Sequence, residues 1–597
     1  MTTSTRTTDL TRRQLIQRGS AIAGAAAIAG ATRNAAAQTP DASPAASPVA
    51  SPITYTGPVG VVSPSRDEVN AAIQSAFTFE DAQSEGGQLI YVQTTDLSTI
   101  NPLLVSDTYS GLVTSFTHDG LVSTSPIDGT WTPGLADSWE IADDGRTYTF
   151  HLNPTVTWHD GTPFTADDVV FSFDATVAED SLSVRRADVL SVLESYRAID
   201  ANTVEFVAIE PVATFIDKTV GQVGIVAKHI WESVPFANWG SDPGSTGQDA
   251  ARVIGTGPFT FVEWVQNDHV ILQKNPNYWD AANSPYHVDQ FIYQVRADQA
   301  AAIQALIAGE ADVTAVPFAQ VESLQSSNPE IQTIDYDTFS FNYYQVNQDP
   351  EKSPLFTDVR VRQALHYALD RDLIAETVYQ GYAVRADGTQ PVLSRAYKPD
   401  QINTIYTYDP EKAKSLLAEA GWEDTDGDGI LEKDGVKFSF EIEYSEGSAV
   451  YEQQIPYQQQ AWKEIGVEGI PTAIPFPTLV DNLNNRAFEA QVLGFSWSVD
   501  PDQSAFFGSD AVPPAGFNSF GYSSEAYDEI TPRANRELDD DKRIELIVEQ
   551  TNIVNDDAAA GVNVFSKSVV GASPRLHNFI PNGFGTFWSL PFIWIEA

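Results

Sequence analysis

The chain has 597 residues, of which 34 are basic and 81 acidic, for a formal net charge of −47. Such a surface repels a phosphate backbone and argues against a nucleic-acid partner. With 42 % hydrophobic residues it has the material for several packed domains and is no disordered acidic tail, and its lack of Cys excludes disulfides, thiolate metal sites, a cysteine nucleophile and a lipid-bearing cysteine.

Residues 1–37 have the layout of an export signal. Arg12-Arg13 precedes an apolar run from Ala21 to Ala31, and Ala35-Ala36-Ala37 offers a small-residue cleavage site. The paired arginines point to the twin-arginine route. The apolar run is shorter than the ~20 residues that span a bilayer. Residues 38–85 then read as a tether, with Pro40, Pro44, Pro48, Pro52 and Pro58 set among Ala and Ser and few large apolar groups to pack.

Beyond the tether, strand and helix signals alternate. Thr147–Leu152 is β-rich, and Val204–Val207 follows a turn at Asp200–Thr203. Thr165 with Asp168 resembles a capping box ahead of an apolar run. Helical stripes occur at Ile303, Leu306 and Ile307, at Val361, Ala364, Leu365 and Ala368, and at Ala413, Leu416, Leu417 and Ala420. The last follows Asp409-Pro410, an N-cap and first-turn proline, and Gly421 closes it. No repeat of 20–50 residues marks a solenoid or propeller, so the class is α/β in several lobes.

The motif scan for catalysis is negative: there is no His-Glu-x-x-His, no P-loop and no Gly-x-Ser-x-Gly. Gly255-Thr256-Gly257-Pro258 lacks the third glycine of a dinucleotide site and reads as a turn into the strand Phe259 to Trp264; His159 reads as a turn residue. One metal pattern stands out. Asp424, Asp426 and Asp428 with Gly429 match the first half of a calcium loop, but its twelfth position is Gly435 instead of a bidentate Glu. Glu432 or Asp434 could substitute, giving a possible structural Ca²⁺ at Asp424, Asp426, Asp428 and Glu432; an acidic solvated turn accounts for the same residues, and no other cofactor is called for.

Several segments in one order resemble the large solute-binding proteins of ABC importers, the oligopeptide-, dipeptide- and nickel-binding family (family 5). They are residues 133–152 with Trp158–Val170, Gly255–Phe259, Asn275–Trp279, Ala308–Asp312, Phe356–Ala364 with Ala368–Arg371, and Tyr408–Ala413 through Trp422. The resemblance runs from about Gly86 to the C-terminus. It implies a two-lobed periplasmic-binding-protein clamshell, class II-like and of the large three-domain type. Domain I would comprise 86–122, 208–337 and 567–597, domain II 123–207, and domain III 338–566. Hinge segments would lie near Thr338–Asn342 and Ser566–Ser568.

The resemblance further implies an extracytoplasmic monomer, not an enzyme, that closes over a peptide or other small solute and docks on a membrane permease. In peptide binders of the family the ligand's α-amine meets a carboxylate in a Trp-x-x-Asp pattern, which here resembles Trp497-Ser498-Val499-Asp500. Pro501-Asp502 follows directly, so Asp500 and Asp502 are alternatives, with Trp497 as an aromatic wall. An oligosaccharide cargo is the runner-up, drawing on the supply of Trp and Tyr, and a secreted hydrolase is the third reading.

Overall fold

The computed structural model describes residues 60–596 except 297 and 514. The export signal and residues 38–59 of the tether lie outside the described residues. Residues 60–85 correct the expectation of a tether. Gly60–Val61 pairs antiparallel with Ala136–Ile141, and a helix spans Arg66–Ala76. Its start is a capping box: Glu68 accepts from the Ser65 N–H at 2.8 Å, and the Ser65 hydroxyl accepts from the Glu68 N–H at 3.3 Å. Arg66 then reaches Asp137 at 2.9 Å and lies over the Trp279 ring. The Pro-rich composition ends before this segment begins.

A five-stranded antiparallel sheet is built from Gly60–Val61, Ala136–Ile141, Thr147–Leu152, Thr203–Ala208 and Leu193–Asp200, in that spatial order. Alternation places Trp139, Phe150 and Phe206 on one buried face, and the helix Ala166–Val177 covers them, with Phe173 4.8 Å from Phe206. Asp168 accepts the Thr165 N–H at 2.9 Å, closing the helix start as its spacing suggests.

The second sheet has eleven strands and runs through both lobes. At its centre the long strands Gln332–Val346 and Gly561–Ala572 lie antiparallel. Residues 332–337 pair with 567–572 on one side, and 341–344 pair with 561–565 on the other. Between them the register breaks, and the Thr338 hydroxyl donates to the Ser566 carbonyl at 2.7 Å. On one side the sheet continues through 313–315, 88–93, 290–295, 269–274 and 259–265, on the other through 490–496, 439–445 and 468–474, and Ala383–Arg385 pairs with 564–566 as the eleventh strand. Each half has its own core, one around Phe259, Phe291 and Tyr293, the other around Phe356, Leu365 and Trp462. Two lobes joined by two crossing strands make a clamshell, the architecture expected of the chain.

The glycines of 255–257 have a backbone role. A Cβ at Gly255 would lie 1.8 Å from the Thr117 carbonyl oxygen, and one at Gly257 would lie 2.6 Å from that of Phe116. His159 belongs to the same turn. Its Nδ1 accepts the Gly255 N–H at 3.2 Å and its Nε2 donates to the Gly257 carbonyl at 3.0 Å, while burial holds its pKa below the ordinary value. Among the described residues no helix is long and apolar enough to cross a membrane.

Candidate functional site: the charged cleft between the lobes

The lobes meet along the turn 125–130 and the segment 210–218 on one side, and along residues 497–502 and 535–543 on the other. The Ala213 N–H donates to the Asn535 carbonyl at 2.8 Å, and Arg536 pairs with Glu210 at 2.9 Å. At Gly129, with φ +75°, a Cβ would approach Val499 Cγ1 to 2.4 Å. Only a residue without a side chain lets the two surfaces come this close.

The strand Ala490–Ser496 delivers the sequence-predicted residues into this seam. Trp497 stacks on Phe341 at 5.1 Å and donates its indole N–H to the Thr389 carbonyl at 2.9 Å. It is therefore half-buried and fixed within its own lobe. Asp500 departs from what the Trp-x-x-Asp resemblance implies. Its two oxygens accept from Arg543 Nη1 and Nη2 at 2.7 and 2.8 Å, and Oδ1 also accepts the Asp502 N–H at 2.9 Å. Both partners are buried, at 8 % exposure for Asp500 and 4 % for Arg543. Burial opposes the charge on Asp500, yet the guanidinium overcomes it and holds this carboxyl below its ordinary pKa. Asp500 is thus already half of an ion pair within its own lobe. Asp502 accepts from the Ser504 N–H and hydroxyl, both at 2.9 Å; burial, then the charge of Asp500, raises its pKa.

The cleft residues that sequence reasoning missed are Asp217, Arg543, Arg395 and Asp128. Asp217 lies within the helical turn Phe215–Lys218 on the opposite lobe, with the Trp131 indole beside it. Burial and then the charge of Asp500 push its carboxyl up to about 7, against the partial relief given by Arg543, the Trp131 N–H and Arg395. Arg395 pairs with Asp540 and also acts on Asp128 from across the seam. Three carboxylates, Asp217, Asp500 and Asp502, therefore gather around Arg543, and Arg395, itself paired with Asp540, is the second guanidinium acting on Asp217 and Asp500. The seam carries an unmet negative charge, and a buried charge of that kind calls for a cationic partner. No local pattern marks Arg543 or Asp217, because their relation to Asp500 exists only once the lobes meet.

The metal-ligating candidates Asp424, Asp426, Asp428 and Glu432 do come together: one carboxylate oxygen of each lies within 4.8 Å of all the others.

Two lobes, two crossing strands and a charged seam between them define a solute-binding clamshell. Residues 130–514 match the bacterial extracellular solute-binding proteins, family 5, and the chain belongs to that family. It is thus an extracytoplasmic solute-binding protein of an ABC importer, the identification that its motifs led to. It is 33 % identical over 418 residues to the oligopeptide-binding protein AppA of Bacillus subtilis (strain 168), covering 70 % of this chain and 74 % of that one. It is 28 % identical over 456 residues to the dipeptide-binding protein of Escherichia coli (strain K12), covering 72 % and 79 %. The solved structure of B. subtilis AppA in complex with a nonapeptide superposes with a TM-score of 0.68 at 28 % identity, covering 86 % of this chain and all of that one.

Proposed function

We propose that this protein captures peptides in the seam between its lobes and delivers them to an ABC-transporter permease. The observation that carries the reading is the excess of carboxylates over guanidinium at Asp217, Asp500, Asp502 and Arg543, on both lobes of a protein similar to AppA and to the dipeptide-binding protein. A peptide's α-ammonium supplies the missing charge, and only closure brings both sets of carboxylates to it. Asp217 is the group we assign to the ammonium, since Asp500 already has Arg543.

Closure bends the two crossing strands at 338–340 and 566, where the ladder is already interrupted, with domains I, II and III divided as the sequence suggested. The protein works as a monomer without catalysing a reaction, and it leaves the cytoplasm by the twin-arginine route. The aromatic supply that favoured oligosaccharides is largely spent in the core: Trp158, Trp239 and Trp462 are fully buried, and Trp139, Trp422 and Trp594 nearly so.

The test is native mass spectrometry followed by calorimetric titration with peptides of three to nine residues on the protein stripped of ligand. Wild type binds, N-acetylated versions of the same peptides bind at least about tenfold more weakly, and Asp217→Asn erases that difference. Equal affinity for free and acetylated peptides would remove the ammonium from the seam. Binding of sugars with no response to any peptide would move the cargo class.

A further inference from the structure

Far along the chain from the seam, residues 423–437 link the C-terminus of the helix Pro410–Glu419 to the strand Ser439–Ser445. The loop folds on its own carboxylates. Asp424 accepts the N–H groups of Gly427 and Gly429 at 2.7 and 3.1 Å, and Asp426 accepts that of Asp428 at 3.1 Å. Asp428 accepts the Ile430 N–H at 2.9 Å, and Glu432 Oε2 accepts from the Thr425 N–H and hydroxyl, both at 2.9 Å. Gly427 and Gly429 take φ of +79° and +90°, which permits so tight a winding.

These bonds account for the loop's shape, and they leave one oxygen each on Asp426, Asp428 and Glu432 turned inward. Glu432 is the informative one. It is 8 % exposed, and its Oε1 is buried with no hydrogen-bond donor. A buried carboxylate oxygen without a donor is costly, and a cation held closer to it than any group of the chain would relieve that cost. The three inward oxygens converge on one group, the ammonium of Lys437, which touches Asp428 and lies 3.2 Å from Asp426 Oδ2 and 3.7 Å from Glu432 Oε1. At 3.7 Å the last contact is an ion pair without a hydrogen bond. The ammonium sits on a flexible, half-exposed stem and fills the position of a cation without satisfying the buried oxygen.

We propose that this loop binds one Ca²⁺ ion through Asp424, Asp426, Asp428 and Glu432, with Lys437 as a tethered competitor that swings out to solvent when the ion enters. The donor set is all hard oxygen, which selects Ca²⁺ or Mg²⁺ over softer metals. Four carboxylates from the protein itself favour Ca²⁺, because Mg²⁺ keeps several waters and a near-ideal octahedron. The ion clips the helix end to the hairpin Glu432–Lys433 and Val436–Lys437 and acts on stability.

The experiment is calorimetric titration of the chelator-treated protein with CaCl₂, paired with thermal melts in Ca²⁺ and in Mg²⁺. Wild type takes up one Ca²⁺ per chain, its melting temperature rises with Ca²⁺ concentration, and Mg²⁺ gives a much smaller shift. Lys437→Met removes the competing charge and tightens Ca²⁺ binding about tenfold or more. Glu432→Gln and Asp426→Asn each weaken it at least about tenfold; the second, on an exposed side chain, covers the case in which the first misfolds. No uptake by wild type at millimolar Ca²⁺ overturns the proposal even if Lys437→Met binds, for then the lysine is the permanent counter-ion. Uptake unaffected by either carboxylate variant overturns it too, by placing the ion elsewhere.

Discussion

Asp500 and Asp217 lean on the same guanidinium from opposite lobes, and the difference in how they do so separates a structural carboxylate from a recognising one. Asp500 meets Arg543 in a two-pronged contact with both partners buried. Removing one member strands the other charge out of water, which costs about 3–5 kcal/mol. Arg543→Met should therefore lower the free energy of unfolding by about that amount in denaturant titration, whereas the paired change Asp500→Leu with Arg543→Met recovers most of it. A single variant as stable as wild type would mean that water reaches the pair. Asp217 has no such guanidinium partner on its own lobe and an elevated pKa, so Asp217→Asn should leave stability nearly unchanged and act on closure and binding.

At the scale of single elements the seam depends on the turn 125–130, where Gly129 abuts Val499 of the other lobe and Phe584 of its own. Gly129→Ala adds a methyl that meets both, and its φ of +75° adds roughly 1 kcal/mol of backbone strain. We expect peptide affinity to fall about tenfold or more, beyond what the strain explains, and Val499→Gly in the same chain to restore part of it. An unchanged affinity would show that the bound form is less tightly shut. Elements whose cause is local were legible in the sequence. Asp409-Pro410 starts the helix Pro410–Glu419, Ala413 and Leu417 are its buried stripe, and Gly421 takes φ +86° after it. The helix Arg66–Ala76 was missed although Ser65 and Glu68 spell its capping box, because the Pro-rich composition just before it set the expectation. The candidate site was half legible. The acidic loop closes over nine residues and could be read whole, whereas Asp500 and Arg543 lie 43 residues apart and Asp217 comes from the other lobe.

For the whole molecule, the seam couples closing to pH. Opening that returns Asp217 to water, away from Asp500, brings its pKa back towards that of an ordinary carboxylate; with the lobes together, burial and the charge of Asp500 raise it to about 7. Shutting the empty protein therefore takes up protons between those values, and the state that binds more protons gains as pH falls. The penalty is absent below the ordinary pKa, grows as pH rises, and is complete above about 7. Asp502 adds little, because Asp500, Ser504 and Arg543, the groups that shift it, all lie on its own lobe. Asp500 adds little, because its partner Arg543 lies on its own lobe and stays with it on opening. Small-angle scattering of the ligand-free protein should then give a smaller radius of gyration at about pH 5.5 than at about pH 8, and Asp217→Asn should flatten the difference. A peptide ammonium at Asp217 keeps that carboxylate ionised, so closure on peptide takes up fewer protons than closure on nothing. Titrations at about pH 6 in buffers of differing ionisation enthalpy measure this uptake, and identical values for free and N-acetylated peptides would place the ammonium somewhere other than Asp217.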